Sequence, residues 1–325
     1  MSIDSASTDD SASIGSAGTS RTASAAGSLR LGGGLSVGRL GFGAMQLPGP
    51  GIWGPPSDEA AALAVLRRAV ELGVTHIDTS DAYGPHVAND LIREALHPYP
   101  ENVVIATKVG VVRGASGSFD AAAEPHQLRG QVEENLSRLR LDRLDLVYLR
   151  VGGDGLMAAG DTPPAESLAA LAELRDRGLI RHVGLSGVTA EQLREACVIA
   201  PIAAVQNRFH LYDRGSADVL EACERNEIAF VPYFPLAAGM LKPGLDKSAL
   251  PPGMAPTDAQ ERALDQVAAA HGATRTQVAI AWLLARSPVI AVIPGTSSVV
   301  HLEENTAAAG LRLTGDEVSL LDTLA

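Results

Sequence analysis

The strongest constraint on the fold is an eightfold alternation of short apolar runs with longer amphipathic runs, from Arg39 to the C-terminus. The apolar runs read RLGFGAM, VTHIDTS, NVVIATKVG, RLDLVYLR, IRHVGLSG, IAAVQNRF, IAFVPYFPL and VIAVIPG. Near-continuous apolar runs of this length are typical of parallel strands that helices cover. The sequence therefore predicts eight strand–helix units in series and an α/β fold.

Eight such units in a chain of 325 residues fit a (β/α)8 TIM barrel. A doubly wound sheet is the alternative, but it normally has a G-x-G-x-x-G turn after its first strand, and LGFGAMQLPG is not that motif. We predict a single barrel domain over residues 29–325, with an N-terminal β-hairpin in LRLGGGLSV. Residues 1–28 are rich in Ser, Ala and Gly, and we expect them to form a disordered tail.

The charge and composition disfavour several classes of protein. A net charge of −12 without a Lys/Arg run argues against a nucleic-acid-binding surface. No apolar stretch reaches the roughly 18 residues of a membrane span, and the N-terminus lacks the apolar region of a secretory signal. The eight histidines are scattered without metal-ligand spacing. We expect a cytoplasmic protein without a metal, either a monomer or a small homo-oligomer.

Polar side chains fall at the carboxyl ends of successive predicted strands, where barrel enzymes have their active sites. The second strand ends at Asp78 and is followed by Tyr83, the third ends at Lys108, and the fourth ends at Arg150. Each residue alone also has a purely structural interpretation: a turn cap for Asp78, a strand-end lysine reaching water for Lys108, and a solvated rim charge for Arg150. Their convergence on one end of the barrel favours a functional site.

A tyrosine needs help to donate a proton at neutral pH. An ammonium group next to the ring stabilises the phenolate, and a carboxylate paired with that ammonium keeps it charged and in place. Asp78 and Lys108 are the expected pair, and Tyr83 is the expected general acid, which protonates a developing alkoxide. Asp81 is expected to have a loop or capping role outside this set.

The segments HIDTSDAYG, LDLVYL, GLSG, VQN, PYFPL and IPGTSSVVHLEEN, in this order and together with the strand that ends at Lys108, resemble the aldo-keto reductases. The resemblance extends from about residue 30 to the C-terminus. It implies a barrel enzyme that transfers a hydride from NADPH, with NADH less expected, to a small aldehyde. Tyr83 matches the proton donor of the family, and Asp78 and Lys108 match the residues that tune it.

Arg150 stands where the family usually has a histidine. A guanidinium stays charged and only donates hydrogen bonds, so Arg150 is expected to anchor an anionic or phenolic group of the substrate or to polarise its carbonyl. The resemblance also implies a set of cofactor-binding residues: Ser186, Gln206, Tyr233, Pro235, Leu236, Gly295, Thr296, Ser297, His301 and Asn305.

Trp53 and His86 are the candidates for the wall of the substrate pocket. Within the family, GFGAMQLPGPGIWGPP and HIDTSDAYGPHVANDLIREALHPYP look like bacterial enzymes that reduce pyridoxal to pyridoxine. Two alternatives stay open at this point. One is a reductase of another aldehyde or ketone, in detoxification or tailoring of secondary metabolites. The other is an NADPH-binding sensor or regulatory subunit with little turnover.

Overall fold

The fold is described from a computed structural model of the chain, for residues 22–152, 160–242, 244–247 and 255–325. Within these ranges, seven parallel strands lie side by side in the order of the sequence. They are β3 (Phe42–Gly43), β4 (His76–Asp78), β5 (Val104–Arg113), β7 (Leu144–Arg150), β8 (Ile180–Ser186), β9 (Ile202–Gln206) and β10 (Ala229–Phe230).

The eighth predicted strand closes the barrel between the two edges of this sheet. Ile290 forms a parallel bridge with Phe230 at one edge, and Val292 forms a parallel bridge with Leu40 at the other. Backbone hydrogen bonds support both contacts, from Val292 N to Arg39 O (2.7 Å) and from Ala291 N to Phe230 O (3.0 Å). The predicted (β/α)8 barrel is therefore confirmed.

The predicted helices are present among the described residues. They are α1 (Glu59–Glu71), α2 (Val87–Leu96), α3 (Pro125–Leu139), α4 (Pro164–Asp176), α5 (Ala190–Ile199), α6 (Ala217–Arg225), α7 (Asp258–His271), α8 (Arg275–Arg286), α9 (Val299–Ala307) and α10 (Gly315–Asp322). No helix in the described part of the chain has both the length and the apolar character needed to cross a bilayer.

A hairpin closes the amino-terminal end of the barrel. It pairs β1 (Ser28–Leu31) with β2 (Leu35–Gly38) in antiparallel register, as the sequence predicts. Its buried side chains Leu31, Leu35 and Val37 belong to the same core cluster as the interior residues of the strands. The polar residues at the carboxyl ends of the strands therefore lie at the opposite, open mouth.

Part of the segment that the sequence predicted to be a disordered tail has regular structure. Residues 1–21 lie outside the described residues, but Ala23–Ala26 form a 3-10 helix. Ala23 is buried, and its N–H donates to Leu72 O (2.9 Å) at the end of α1. The prediction of disorder is wrong for residues 22–28, because small alanines can pack tightly against a helix even where a segment has little apolar surface.

One strand was not predicted. The strand β6 (Phe119–Ala122) pairs antiparallel with the distal half of β5, from Gly110 to Arg113. The sequence predicted that the third barrel strand would end at Lys108, but the strand continues to Arg113 because β6 satisfies its backbone groups. This β5–β6 hairpin adds a wall above the mouth.

The interior of the barrel combines alanines with larger apolar side chains. Tyr148 is fully buried, and its ring lies directly against Gly184 on the neighbouring strand. A Cβ atom at position 184 would lie 2.6 Å from Cδ1 of the Tyr148 ring, so only glycine fits there. Polar side chains of the candidate site lie close to Tyr148: Lys108 pairs with it in register, and Arg150 lies two residues further along β7.

Candidate active site

A buried ion pair joins the second and third barrel strands. Asp78 is the last residue of β4, and it pairs in register with Ala106 of β5. Lys108 is two residues after Ala106, so the Lys108 side chain points to the same face of the sheet as Asp78. Lys108 Nζ donates to Asp78 Oδ1 and also to Thr79 O (2.9 Å). The two side chains are only 3% and 4% exposed. The interpretation of Lys108 as a strand-end lysine reaching water is therefore wrong.

Tyr83 lies between two cations. Lys108 Nζ is 5.2 Å from the centroid of the Tyr83 ring, and Arg150 Cζ is 5.9 Å from it. Tyr83 is 6% exposed and sits in the loop that follows β4. The structure thus brings together the four residues that the sequence selected for catalysis, with two positively charged side chains close to the phenol ring.

A second tyrosine near the ion pair is a poor proton donor. Tyr148 pairs in register with Lys108, and burial together with the negative charge of Asp78 raises the pKa of Tyr148 well above its ordinary value. Its hydroxyl stays protonated at neutral pH. Tyr83 is therefore the better candidate of the two.

Gln206 is held by the ion pair. Its Nε2 donates to Asp78 Oδ2 (2.8 Å), while Lys108 occupies Oδ1 of the same carboxylate. The sequence predicted Gln206 only as a cofactor contact and gave no sign of this bond. The spacing of residues in the sequence could not have revealed this bond, because Asp78 and Gln206 lie on strands that are not neighbours in the sheet. Their side chains meet in the barrel interior.

Arg150 is part of a buried polar chain that the sequence interpretation missed. Arg150 Nη1 donates to Ser80 Oγ (3.1 Å), and Ser80 Oγ donates to Asp81 Oδ1 (3.2 Å). Arg150 is 8% exposed, so it is not a solvated rim charge. Burial raises the pKa of Asp81, and the nearby charge of Arg150 opposes that shift. The expected loop role of Asp81 did not include this link: its carboxyl group is joined through Ser80 to Arg150.

Ser186 occupies the rim between Arg150 and Gln206. It ends β8 and pairs in register with both of these residues, and its side chain is buried. The turn that follows it is fixed by Asn207, whose Oδ1 accepts from Gly187 N (3.1 Å) and Val188 N (3.0 Å). Asn207 therefore holds the backbone next to Ser186.

The loop after β10 has a strained backbone. Tyr233 is half-buried and packs edge-to-face on Phe234, with ring centroids 5.2 Å apart. Phe234, Ala237 and Ala238 have φ values of 54°, 51° and 50°. Non-glycine residues in the left-handed region are uncommon, and such strain is concentrated at functional sites. The predicted residues Pro235 and Leu236 lie within this strained stretch.

The segment between the eighth strand and α9 lies close to the first strand. A Cβ atom at Gly295 would lie 2.6 Å from Gly43 O, so this approach requires glycine. Thr296 is buried and its Oγ1 accepts from Ser298 N (3.1 Å), whereas Ser297 is exposed.

Ser298 caps α9, since its side chain accepts from His301 N (3.4 Å). The His301 side chain is exposed, whereas Asn305 is buried one turn further along the helix. Hydroxyl groups and unbonded N–H groups therefore meet at the start of this helix, which is an arrangement suited to phosphate.

Trp53 and His86 flank the loop that carries Tyr83. Trp53 forms a parallel bridge with Gly84, and its side chain is 42% exposed. Its ring lies 5.1 Å from Cζ of Arg113, which also packs 4.2 Å from the ring of Phe119. Arg113, which the sequence interpretation did not select, thus links the Trp53 loop to the β5–β6 hairpin.

His86 precedes α2 with a φ of 65°, and its N–H donates to Asp81 O (2.7 Å). Its backbone therefore contributes to the loop that carries Tyr83. In the described ranges, no group of three or more His, Cys, Asp or Glu side chains is arranged to hold a metal ion.

Comparison with known proteins gives a consistent result. A model of the Aldo/keto reductase family matches residues 39–325. Pyridoxine 4-dehydrogenase of Escherichia coli strain K12 is 49% identical over 288 residues, which cover 88% of this chain and 94% of that protein. An uncharacterized oxidoreductase of Schizosaccharomyces pombe is 41% identical over 301 residues, 92% of this chain and 90% of that protein.

A solved structure has the same architecture. The aldo/keto reductase from Klebsiella pneumoniae in complex with NADP and acetate superimposes with a TM-score of 0.73 at 27% identity. The match covers 91% of this chain and 94% of that one. The residues that the family model matches, 39–325, include the candidate active site.

Proposed function

Because the chain belongs to the aldo/keto reductase family, we propose that it is an NADPH-dependent reductase of pyridoxal, which it converts to pyridoxine. The observation that carries this proposal is the position of Tyr83 beside the buried Asp78–Lys108 pair. An oxidoreductase of this family needs a proton source at the mouth of the barrel, and this arrangement supplies one. The similarity to a pyridoxine 4-dehydrogenase supports the choice of substrate.

The residues around the mouth fit a reduced dinucleotide. Ser186 and Gln206 offer a hydroxyl and an amide on one side, for the nicotinamide carboxamide. The start of α9, with Thr296, Ser297 and Ser298, offers hydroxyl and N–H donors for an adenosine phosphate, without a basic side chain. Bound NADPH would supply the hydride that reduces the carbonyl carbon.

The protein supplies the proton and the orientation. Tyr83 donates its hydroxyl proton to the carbonyl oxygen as negative charge develops there, which leaves a phenolate next to the Lys108 ammonium. Asp78 pairs with that ammonium and fixes its position at the mouth of the barrel. Gln206 and Thr79 O hold the pair in its orientation, so no reorganisation is needed when the proton moves.

Arg150 is the proposed anchor for the substrate. Its guanidinium faces the Tyr83 ring, and one of its nitrogens is already bound to Ser80. Pyridoxal has a phenolic hydroxyl next to its aldehyde, and in the ionised form this oxygen is a natural acceptor for a guanidinium. Trp53 and Arg113 form the outer wall against which an aromatic ring can stack.

The test is a steady-state assay of the purified protein with NADPH and, separately, with NADH. The substrates are pyridoxal, benzaldehyde and a simple ketone. We expect turnover with NADPH and the highest kcat/KM for pyridoxal. Turnover with benzaldehyde but not pyridoxal would contradict the substrate assignment. Tight NADPH binding without turnover on any of these carbonyls would contradict the enzymatic proposal and favour a cofactor sensor.

A further inference from the structure

Four buried polar side chains lie behind the Asp78–Lys108 pair, between the barrel and its outer helices. They are Thr79, Asn89, Thr107 and Asn135, and each is 0% exposed. We call this set the amide–hydroxyl network. Its members come from β5, from the residue that follows β4, and from α2 and α3. It is separate from the mouth, where substrate and cofactor would bind.

The network is a continuous set of hydrogen bonds. Thr79 Oγ1 donates to Asn89 Oδ1 (2.9 Å), and Asn89 Nδ2 donates to Asn135 Oδ1 (2.9 Å). Thr107 Oγ1 donates to the same oxygen of Asn135 (2.7 Å). Asn135 Nδ2 in turn donates to Gln131 O (2.8 Å) within α3. Two asparagines from two helices thus connect the two threonines.

The two threonines are the chain neighbours of the ion pair. Thr79 follows Asp78, and Thr107 precedes Lys108. Successive side chains of a strand point to opposite faces, so the network holds the outer face of the same backbone that carries the ion pair on its inner face. Thr79 also accepts a bond from Lys108 Nζ through its carbonyl oxygen (2.9 Å). A shift of Thr79 or Thr107 would therefore move the ammonium relative to Tyr83.

Apolar packing alone would not fix the positions of Thr79 and Thr107. The same helices bury Leu91, Ile92, Leu128 and Val132 against the barrel, but apolar contacts are non-directional. Hydrogen bonds specify both distance and direction, and a fully satisfied buried network rigidifies its surroundings. Burying four polar side chains between apolar layers is energetically unfavourable unless they are hydrogen-bonded. A need to place the ion pair to within a fraction of an ångström would explain why they are retained.

We propose that Asn89 and Asn135 are positioning residues for carbonyl reduction, and that they act by holding Thr79 and Thr107, and through them Lys108, in place. The proposal rests on the proposed reductase function, because turnover is one of its readouts. It assigns to α2 and α3 a part in catalysis, although neither helix contributes a side chain that contacts the reacting atoms.

The decisive variant is Thr107→Val, which keeps the shape of the side chain and removes its hydroxyl. We expect kcat to fall about tenfold, since a misplacement of reacting groups by about 1 Å costs up to 10²-fold, with little change in the KM for NADPH. Thr107→Ser, which retains the hydroxyl, should restore most of the activity.

The matched control is Thr75→Val at the opposite end of β4. The Thr75 hydroxyl accepts from Gly38 N (2.8 Å), far from the mouth. This variant should lower stability without changing kcat. Wild-type kcat in Thr107→Val, or an equal loss of kcat in Thr75→Val, would overturn the proposal.

Hydrogen exchange gives a readout that does not depend on turnover. The Thr79 N–H donates to Ala106 O (2.8 Å), and its exchange should be faster in Thr107→Val and Asn135→Leu than in wild type and Thr75→Val. If the wild type reduces no aldehyde while exchange changes as expected, the proposed function fails and the network's role in holding the strands stands. If the wild type is active while kcat and exchange in Thr107→Val are both unchanged, the positioning role fails. Thr107→Val by itself tests the positioning role, even if Asn135→Leu does not fold.

Discussion

Gln206 Nε2 lies 2.8 Å from Asp78 Oδ2, so an amide 128 positions away in the chain holds the carboxylate that pairs with Lys108. A residue predicted to bind the cofactor and a residue predicted to tune the proton donor are thus joined by a direct hydrogen bond. This relationship means that the two halves of the site are not independent. Changes at Gln206 should affect both cofactor binding and the chemical step.

Substitutions of Gln206 and of Ser186 should therefore have different kinetic effects. Gln206→Leu should raise the KM for NADPH and also lower kcat, because Asp78 loses a hydrogen bond and a charge-assisted bond contributes about 1.5–3 kcal/mol. Ser186→Ala should raise the KM for NADPH with little effect on kcat. Steady-state kinetics with varied NADPH measures both quantities. Equal kinetic profiles for the two variants would contradict a special role for the Gln206–Asp78 bond.

Tyr83→Phe should remove most reductase activity, about 10²- to 10⁴-fold in kcat, since this is the usual contribution of a general acid. NADPH binding, followed by fluorescence titration, should change little. The matched control is Tyr99→Phe, which removes a hydroxyl that bonds to Leu139 O (2.8 Å) on the outside of the barrel. That variant should keep its turnover. Retained turnover in Tyr83→Phe would mean that the proton has another source.

Breaking the buried ion pair should destabilise the fold. Asp78→Asn leaves the Lys108 ammonium buried without a charged partner, which typically costs about 3–5 kcal/mol. Lys108→Met should cost a similar amount, and the double variant should lose less than the sum of the two. Denaturant unfolding measures all three. Asp258→Asn, in an exposed pair with Lys247 (2.8 Å), is the control and should leave the unfolding midpoint nearly unchanged.

Arg150→Met should discriminate between substrates. Loss of a guanidinium bond to an ionised phenolic oxygen is expected to lower kcat/KM for pyridoxal roughly ten- to a hundredfold. Benzaldehyde lacks that oxygen, so its kcat/KM should fall much less and serves as the internal control. Unchanged activity toward pyridoxal in either Arg150→Met or Arg150→His would count against the anchoring role.

Acid should weaken the fold through His76. Burial lowers the pKa of His76 from 6.5 to about 4, so between these values the unfolded chain binds a proton that the native imidazole does not. Stability is therefore fully present above pH 6.5 and decreases as the pH falls toward 4, by about 3 kcal/mol from this residue. His76→Leu should remove this part of the acid sensitivity, as measured by denaturant unfolding at several pH values.

Two other histidines provide the comparison. His210, whose pKa burial also lowers to about 4, should maintain the remaining acid sensitivity in His76→Leu. His126→Leu changes a largely exposed imidazole and should leave the pH profile of stability as in wild type. A profile that is identical in His76→Leu and in wild type would contradict the prediction.

The sequence alone predicted the architecture and the set of candidate catalytic residues. The eightfold alternation of strands and helices predicted the barrel, because periodicity reflects which faces are buried. It also predicted the convergence of Asp78, Tyr83, Lys108 and Arg150, because the carboxyl ends of parallel strands meet at one rim. The boundaries of the strands were predicted less well: the third barrel strand was expected to end at Lys108 but continues to Arg113.

Only the tertiary structure decided which side chains touch one another. The Gln206–Asp78 bond, the Arg150–Ser80–Asp81 chain and the amide–hydroxyl network all join residues of different elements or turns. The β5–β6 hairpin and the packed residues 22–28 likewise depend on partners elsewhere in the chain. The physical reason is that periodicity records burial, which is a property of each position. A hydrogen bond depends on the distance and angle between two groups, and these are fixed only when the strands and helices pack.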